Sequence, residues 1–203
     1  MAKENFIKCL DEDTEDYSAL YNVVYCFDFL DQNEDAIVYL NKFIDKNPYS
    51  EVAWHQLGRQ YYALKNYEKA VWAFDYATLI DETFLGAYME KAKSYEKLKK
   101  YQEAIDCYNI TLELDDPSSF VLLRVAKCYE RLGNTEFALN YYLKTVHEDP
   151  LLDKGWIAIT DFYIRQKNFQ KALYYVNKAI GIDGDNSLYW KRFAAVNTAL
   201  HFF

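Results

Sequence analysis

The side chains that could do chemistry are few in this sequence, and they stand apart. His55, His147 and His201 are distant from one another and show no metal-ligand spacing. Cys9, Cys26, Cys107 and Cys128 are isolated, with no Cys-x-x-Cys pair, and read as small hydrophobes buried in helices. The carboxylate pairs Glu15-Asp16 and Asp115-Asp116 fall in turns or at helix starts, where negative charge suits the macrodipole better than acid–base work. There is no phosphate-cradling glycine loop, no Gly-x-Ser-x-Gly elbow and no His-Glu-x-x-His. Asn109-Ile110-Thr111 fits a glycosylation triplet but lies inside an expected helix, so it is read as accidental. The expectation is a non-enzyme with no cofactor and no metal.

The elements that carry these residues are helical. Hydrophobic residues make up 51% of the 203 and aromatics 18%, too many for a disordered chain. Six glycines and three prolines are too few for a turn-rich β fold. The net charge of -8 disfavours general affinity for nucleic acid or anionic membrane. No apolar run approaches the roughly 18 residues of a membrane span. Met1 to Asp16 is polar and acidic, unlike a secretory signal, so a cytoplasmic location is expected.

Blocks of 34 residues beginning at Tyr17, Glu51, Leu85, Ser119 and Asp153 align without insertion or deletion. They give units 17–50, 51–84, 85–118, 119–152 and 153–186. The twentieth position is alanine in all five (Ala36, Ala70, Ala104, Ala138, Ala172), and the eleventh is Phe27, Tyr61, Tyr95, Tyr129 and Tyr163. The eighth is mostly small: Val24, Gly58, Ala92, Ala126 and Thr160. The twenty-fourth is bulky: Leu40, Phe74, Tyr108, Tyr142 and Val176. Positions 4, 7, 8 and 11 make one apolar stripe at helical period, and 20, 24 and 27 make another. A turn as short as Leu64-Lys65-Asn66 joins them, which predicts antiparallel helix pairs. Asn47-Pro48 and Asp149-Pro150 stop the second helix.

The pattern Trp54-x-x-Leu57-Gly58-x-x-Tyr61 followed by Ala70, Phe74 and Ala77 resembles the tetratricopeptide repeat (TPR). Tyr88, Ala92, Tyr95, Ala104 and Tyr108 repeat it with substitutions, as do Trp156, Tyr163, Ala172 and Ala179. The first block departs most, with Leu20 in the tryptophan position and Phe43 where a small residue is usual. The resemblance implies an all-α fold, a right-handed superhelical α-solenoid of antiparallel helix pairs. Extending the register backwards puts Ala2, Phe6 and Cys9 at positions 20, 24 and 27, so 1–16 reads as the second helix of a preceding repeat. Extending it forwards puts Trp190, Phe193 and Ala194 at positions 4, 7 and 8, so 187–203 reads as the first helix of a following one. The apolar ending Ala199-Leu200-His201-Phe202-Phe203 is no polar cap. Two expectations follow: an excerpt from a longer array, or end-to-end self-association through the half-repeats.

Positions 2, 5, 9, 12 and 13 of each first helix form a second stripe away from the core. In proteins with this repeat the corresponding stripe lines a concave groove where ligands bind. Here it begins aromatic, with Tyr21, Tyr25, Phe29 and Tyr62, and includes His55. It continues with the cations Arg59, Lys93, Lys97, Lys127, Arg131, Lys154, Arg165 and Lys191. Against these eight stand Asp28, Glu96, Glu130 and Asp161, a net +4 within a chain of -8. Such a groove suits a protein or peptide segment that is acidic and bears aromatic residues. Pairing of Lys93 with Glu96 and of Lys127 with Glu130 along their helices is the alternative.

Chaperone-binding members of the family share a two-carboxylate clamp: Lys and Asn at positions 5 and 9, Asn at 6 of the next block, and Lys and Arg at 2 and 6 of the third. Tyr21, Tyr25, Gln56, Gly86 and Glu90 do not supply it. His55, Arg59, Glu90, Phe120 and Arg124 match at one place in five. No chaperone clamp is therefore expected. The leading function is a protein-interaction scaffold. A regulatory or targeting arm of a larger enzyme or transcription regulator comes second, and helical-repeat RNA binding third, disfavoured by the interspersed acids.

Overall fold

The computed structural model describes residues 2–13 and 16–202; of Ala2, Lys3, Asp11 and Phe202 only the backbone is described. Glu15, Phe203 and the side chains of Ala2 and Phe202, all named above, lie outside the described residues. Twelve helices and no strand occur among the described residues. They are α1 (Ala2–Glu12), α2 (Tyr17–Phe29), α3 (Asn33–Lys46), α4 (Glu51–Ala63), α5 (Tyr67–Ile80) and α6 (Leu85–Lys97). Then come α7 (Tyr101–Leu114), α8 (Ser119–Arg131), α9 (Thr135–Glu148), α10 (Asp153–Arg165), α11 (Phe169–Ile182) and α12 (Ser187–Phe202). They form two compact units, Met1–Leu114 and Asp115–Phe203.

Each turn within a helix pair is closed in the same way. In the Gly133 turn, the Gly133 N–H donates to Glu130 O at 3.0 Å and the Asn134 N–H to Tyr129 O at 2.9 Å, satisfying two carbonyls that the helix end would leave bare. This Schellman geometry needs a left-handed residue. Gly133 supplies it at φ 80°, whereas Asp31, Lys65, Lys99 and Lys167 adopt φ between 55° and 60° despite their side chains. The next helix is then capped by Asn66, Asn134 or Asn168, whose side-chain oxygens accept from Lys69, Phe137 and Lys171 N–H.

The alanines at position 20 are wholly buried in all five pairs, as are Leu40, Phe74, Tyr108 and Val176 at position 24, with Tyr142 at 1%. A Cβ on Gly58 would stand 2.5 Å from the Phe74 ring, so the small eighth position is what admits the large twenty-fourth. In the first pair Phe43 occupies a place that is alanine or threonine in the others, and the α2 and α3 backbones approach less closely than those of the later pairs. Three of the four tryptophans pin the turn that precedes their helix. Trp54, Trp156 and Trp190 donate Nε1–H to the carbonyls of Pro48, Pro150 and Gly184 at 2.9, 2.8 and 2.7 Å. In Met1–Leu114 the core runs from Leu10 through Leu20, Leu40 and Trp54 to Ala87. In Asp115–Phe203 it runs from Leu123 through Tyr142 and Ile159 to Val196.

Candidate functional site

Within residues 1–114, the predicted stripe opens on an aromatic row. Tyr21, Tyr25 and Phe29 lie one helical turn apart on α2 and are 40%, 67% and 79% exposed. No packing reason holds them outward, and large rings left in water are the kind of surface a partner covers. Tyr62 is half-buried, edge-on to Tyr67 at 5.2 Å. His55 departs from the sequence reading, which placed it on the ligand-facing surface. It is buried between Phe74 and Phe84, with ring centroids 5.7 and 4.8 Å away, because Phe84 in the following turn folds over it.

The floor beside this row is polar. Gln60 Nε2–H donates to Asp28 Oδ1 at 2.9 Å, tying α4 to α2. Arg59 Nη1–H donates to Gln56 Oε1 at 3.2 Å, and its Nε stands 3.9 Å from Glu90 Oε1. Glu90 Oε2 lies 3.1 Å from His55 Nε2. Burial works to raise the Glu90 pKa, but the contact with His55 and the positive charges of Arg59 and Lys93 outweigh it. Its carboxyl is therefore held below the ordinary value of 4.5. Gln56 Nε2 and Gln60 Oε1 are buried without a hydrogen-bond partner among the described residues. Lys93 is half-buried; Lys97 is exposed and forms no ion pair among the described residues.

Residues 115–203 use the same stripe differently. Arg165 donates to Glu130 Oε1 through Nε at 2.8 Å and approaches it through Nη2 at 2.6 Å, joining α10 to α8. Glu130 Oε2 also accepts from the buried Tyr142 hydroxyl at 2.8 Å. Burial, then the Glu130 charge, pushes the Tyr142 phenol far above its ordinary pKa. Asp161 is held bidentately by Arg192 of α12 at 2.7 and 2.9 Å. Lys127 is exposed, and exposed Arg131 and Lys154 form no ion pair among the described residues. The sequence did hold a signal for the Glu–Tyr contact. Glutamate at position 12 coincides with tyrosine at position 24 twice, and Tyr108 OH likewise donates to Glu96 Oε1 at 2.6 Å.

No described group of three or more His, Cys, Asp or Glu is placed to hold a metal. Cys107 and Cys128 are buried as expected, and burial raises the Cys107 thiol to about 11. Cys26 is only half-buried and Cys9 is exposed, unlike the buried pair. No described helix is long and apolar enough to cross a membrane.

Residues 30–111 match the family model for anaphase-promoting complex, cyclosome, subunit 3, and residues 121–154 match a model for the tetratricopeptide repeat. The chain is a tetratricopeptide repeat protein. Its helical array is similar to several solved structures. One is YrrB, described as a TPR protein with an unusual peptide-binding site, at 21% identity and TM-score 0.74, covering 94% of this chain and 98% of that one. Another is MamA from Desulfovibrio magneticus RS-1, residues 41 to the end, at 17% identity and TM-score 0.75, covering 85% and 97%. A third is the APC/C hetero-tetramer Cut9-Hcn1, at 16% identity and TM-score 0.67, covering 98% of this TPR chain but 39% of that one. At such identities the likeness is one of fold, an all-α solenoid of helical repeats. No curated protein matches in sequence.

Proposed function

We propose that this chain is a non-catalytic protein-interaction scaffold that captures an extended peptide segment on the first-helix face of residues 1–114. The observation that carries the reading is the row Tyr21, Tyr25 and Phe29, exposed along α2 beside the polar floor of α4. Aromatic side chains of the peptide would stack on this row, and a carboxylate would meet Arg59, whose side chain is 43% exposed. A TPR protein described as having a peptide-binding site, and a similar fold within a hetero-tetramer, give the reading its precedent. The basic stretch farther along contributes less, since Arg165 already serves Glu130.

The test is selection from a library of random twelve-residue peptides, followed by binding measurements on the winners. Selected peptides should be enriched in aromatic residues. The double variant Tyr25→Ser/Phe29→Ser should weaken them at least tenfold while helicity, read by circular dichroism, is unchanged. Peptides whose affinity ignores that double variant would move the site off α2.

A further inference from the structure

A second apolar row lies on the opposite kind of surface. On α5, Trp72, Tyr76 and Leu79 follow at i, i+4 and i+7 and are 44%, 40% and 74% exposed. They point away from the helix's buried row of Ala70, Ala73, Phe74 and Ala77. The equivalent places hold Val38, Lys42 and Asp45 on α3, and Asp106, Ile110 and Glu113 on α7. On α9 they hold Asn140, Lys144 and His147, and on α11 Tyr174, Lys178 and Gly181. Only α5 is bulky and apolar at all three.

The rings are fixed in advance. Tyr76 stacks on Trp54 at 4.4 Å and 16°, and Trp72 stands edge-on to both at 5.1 and 5.3 Å. Trp54 is itself pinned to Pro48 O. Rigid, half-exposed aromatics lose little side-chain entropy on binding, which is the character of an interface anchor.

The second helices of residues 1–114 are acidic. On α3, α5 and α7, eight acids are exposed against three lysines. Lys69 lies over the Tyr61 ring at 5.4 Å and Asp75 pairs with Lys91 at 2.6 Å, so one charge of each sign is already engaged and the acids still outnumber the lysines. Across residues 1–114 there are 21 acids and 12 Lys and Arg, net -9, whereas residues 115–203 have 10 and 11, net +1.

We propose that this face of α5 docks a basic amphipathic helix from a partner protein. Its apolar side chains lie along Trp72, Tyr76 and Leu79, and its lysines and arginines face Glu68 and the acids of α3 and α7. A second copy of this chain offering the same face would set acid against acid, which is why the occupant is a different, basic segment.

A labelled peptide with leucines at i, i+3, i+4 and i+7 and lysines elsewhere serves as probe, with a leucine–glutamate peptide of the same pattern beside it. Fluorescence anisotropy with the full chain should show binding of the lysine peptide that weakens steeply with salt, and none of the glutamate peptide. Leu79→Lys should weaken it at least tenfold, as should Trp72→Ala. Leu79 is the most exposed of the three, so its variant tests the face even if loss of Trp72 disturbs the fold. Tyr174→Ser, at the equivalent place on α11, should leave affinity unchanged. Equal binding by both peptides, or affinity indifferent to Leu79→Lys, overturns the proposal. So does a concentration-dependent dimer that Leu79→Lys dissolves, which would give the face to a second copy.

Discussion

Residues 1–114 and 115–203 are made from the same helix pair, yet they spend the same surface positions in different ways. In the first, the stripe beside the core presents Tyr21, Tyr25 and Phe29 to solvent. In the second, the acids of the corresponding stripe are held in contacts between successive first helices, Glu130 with Arg165 and Asp161 with Arg192, while Arg131 and Lys154 stay exposed. A charge that already has a partner must be released before it can hold a ligand, whereas an exposed ring has only water to lose. Identical repeat geometry therefore does not imply identical binding capacity.

The two regions should be alike in the core and unlike at the stripe. Phe74→Ala and Tyr142→Ala should each cost about 3–5 kcal/mol in urea unfolding, since both side chains fill the centre of a pair. A much smaller loss in one region would show that its pairs are packed differently. Glu130→Ala should cost about 2–3 kcal/mol, because it leaves the buried Tyr142 hydroxyl without its acceptor and frees Arg165. In contrast, Tyr25→Ser should change stability by no more than about 0.5 kcal/mol. If Tyr25→Ser proved as costly as Glu130→Ala, the α2 row would be structural and the contrast would collapse.

Acid should discriminate too. Glu90 is held below 4.5, so its stabilising contribution is present above that value and fades as pH falls through the lower, folded pKa. Glu90→Gln should flatten the loss of helicity on acidification below about pH 4.5, measured by circular dichroism. An unchanged profile would mean that other carboxylates govern acid unfolding. The smallest effects belong to the turns. Lys167→Gly should stabilise by about 0.5–1 kcal/mol and Gly133→Ala destabilise by about 1 kcal/mol, both read by thermal unfolding.

The fold was legible because its signals are local and repeated. Alanine at position 20, bulk at 24 and a short turn between them report packing within one pair, which lies inside a 34-residue window. The stripe was legible as a set of residue types but not as a set of contacts. Glu130 and Arg165 are 35 residues apart, and nothing in a helical period says that they meet. His55 has the spacing of a surface residue and is buried because Phe84, at the end of its own repeat, closes over it. The α5 row stands at positions that are polar in most of the other second helices, so a reading built on what the repeats share passes over it.

Each indole that anchors a junction is also an optical gauge of it. Trp54, Trp156 and Trp190 hold the carbonyls of Pro48, Pro150 and Gly184, so loosening of a junction releases one identifiable fluorophore. Replacing all but one tryptophan by phenylalanine would give chains that emit from a single junction. The order in which the array comes apart under denaturant could then be followed joint by joint.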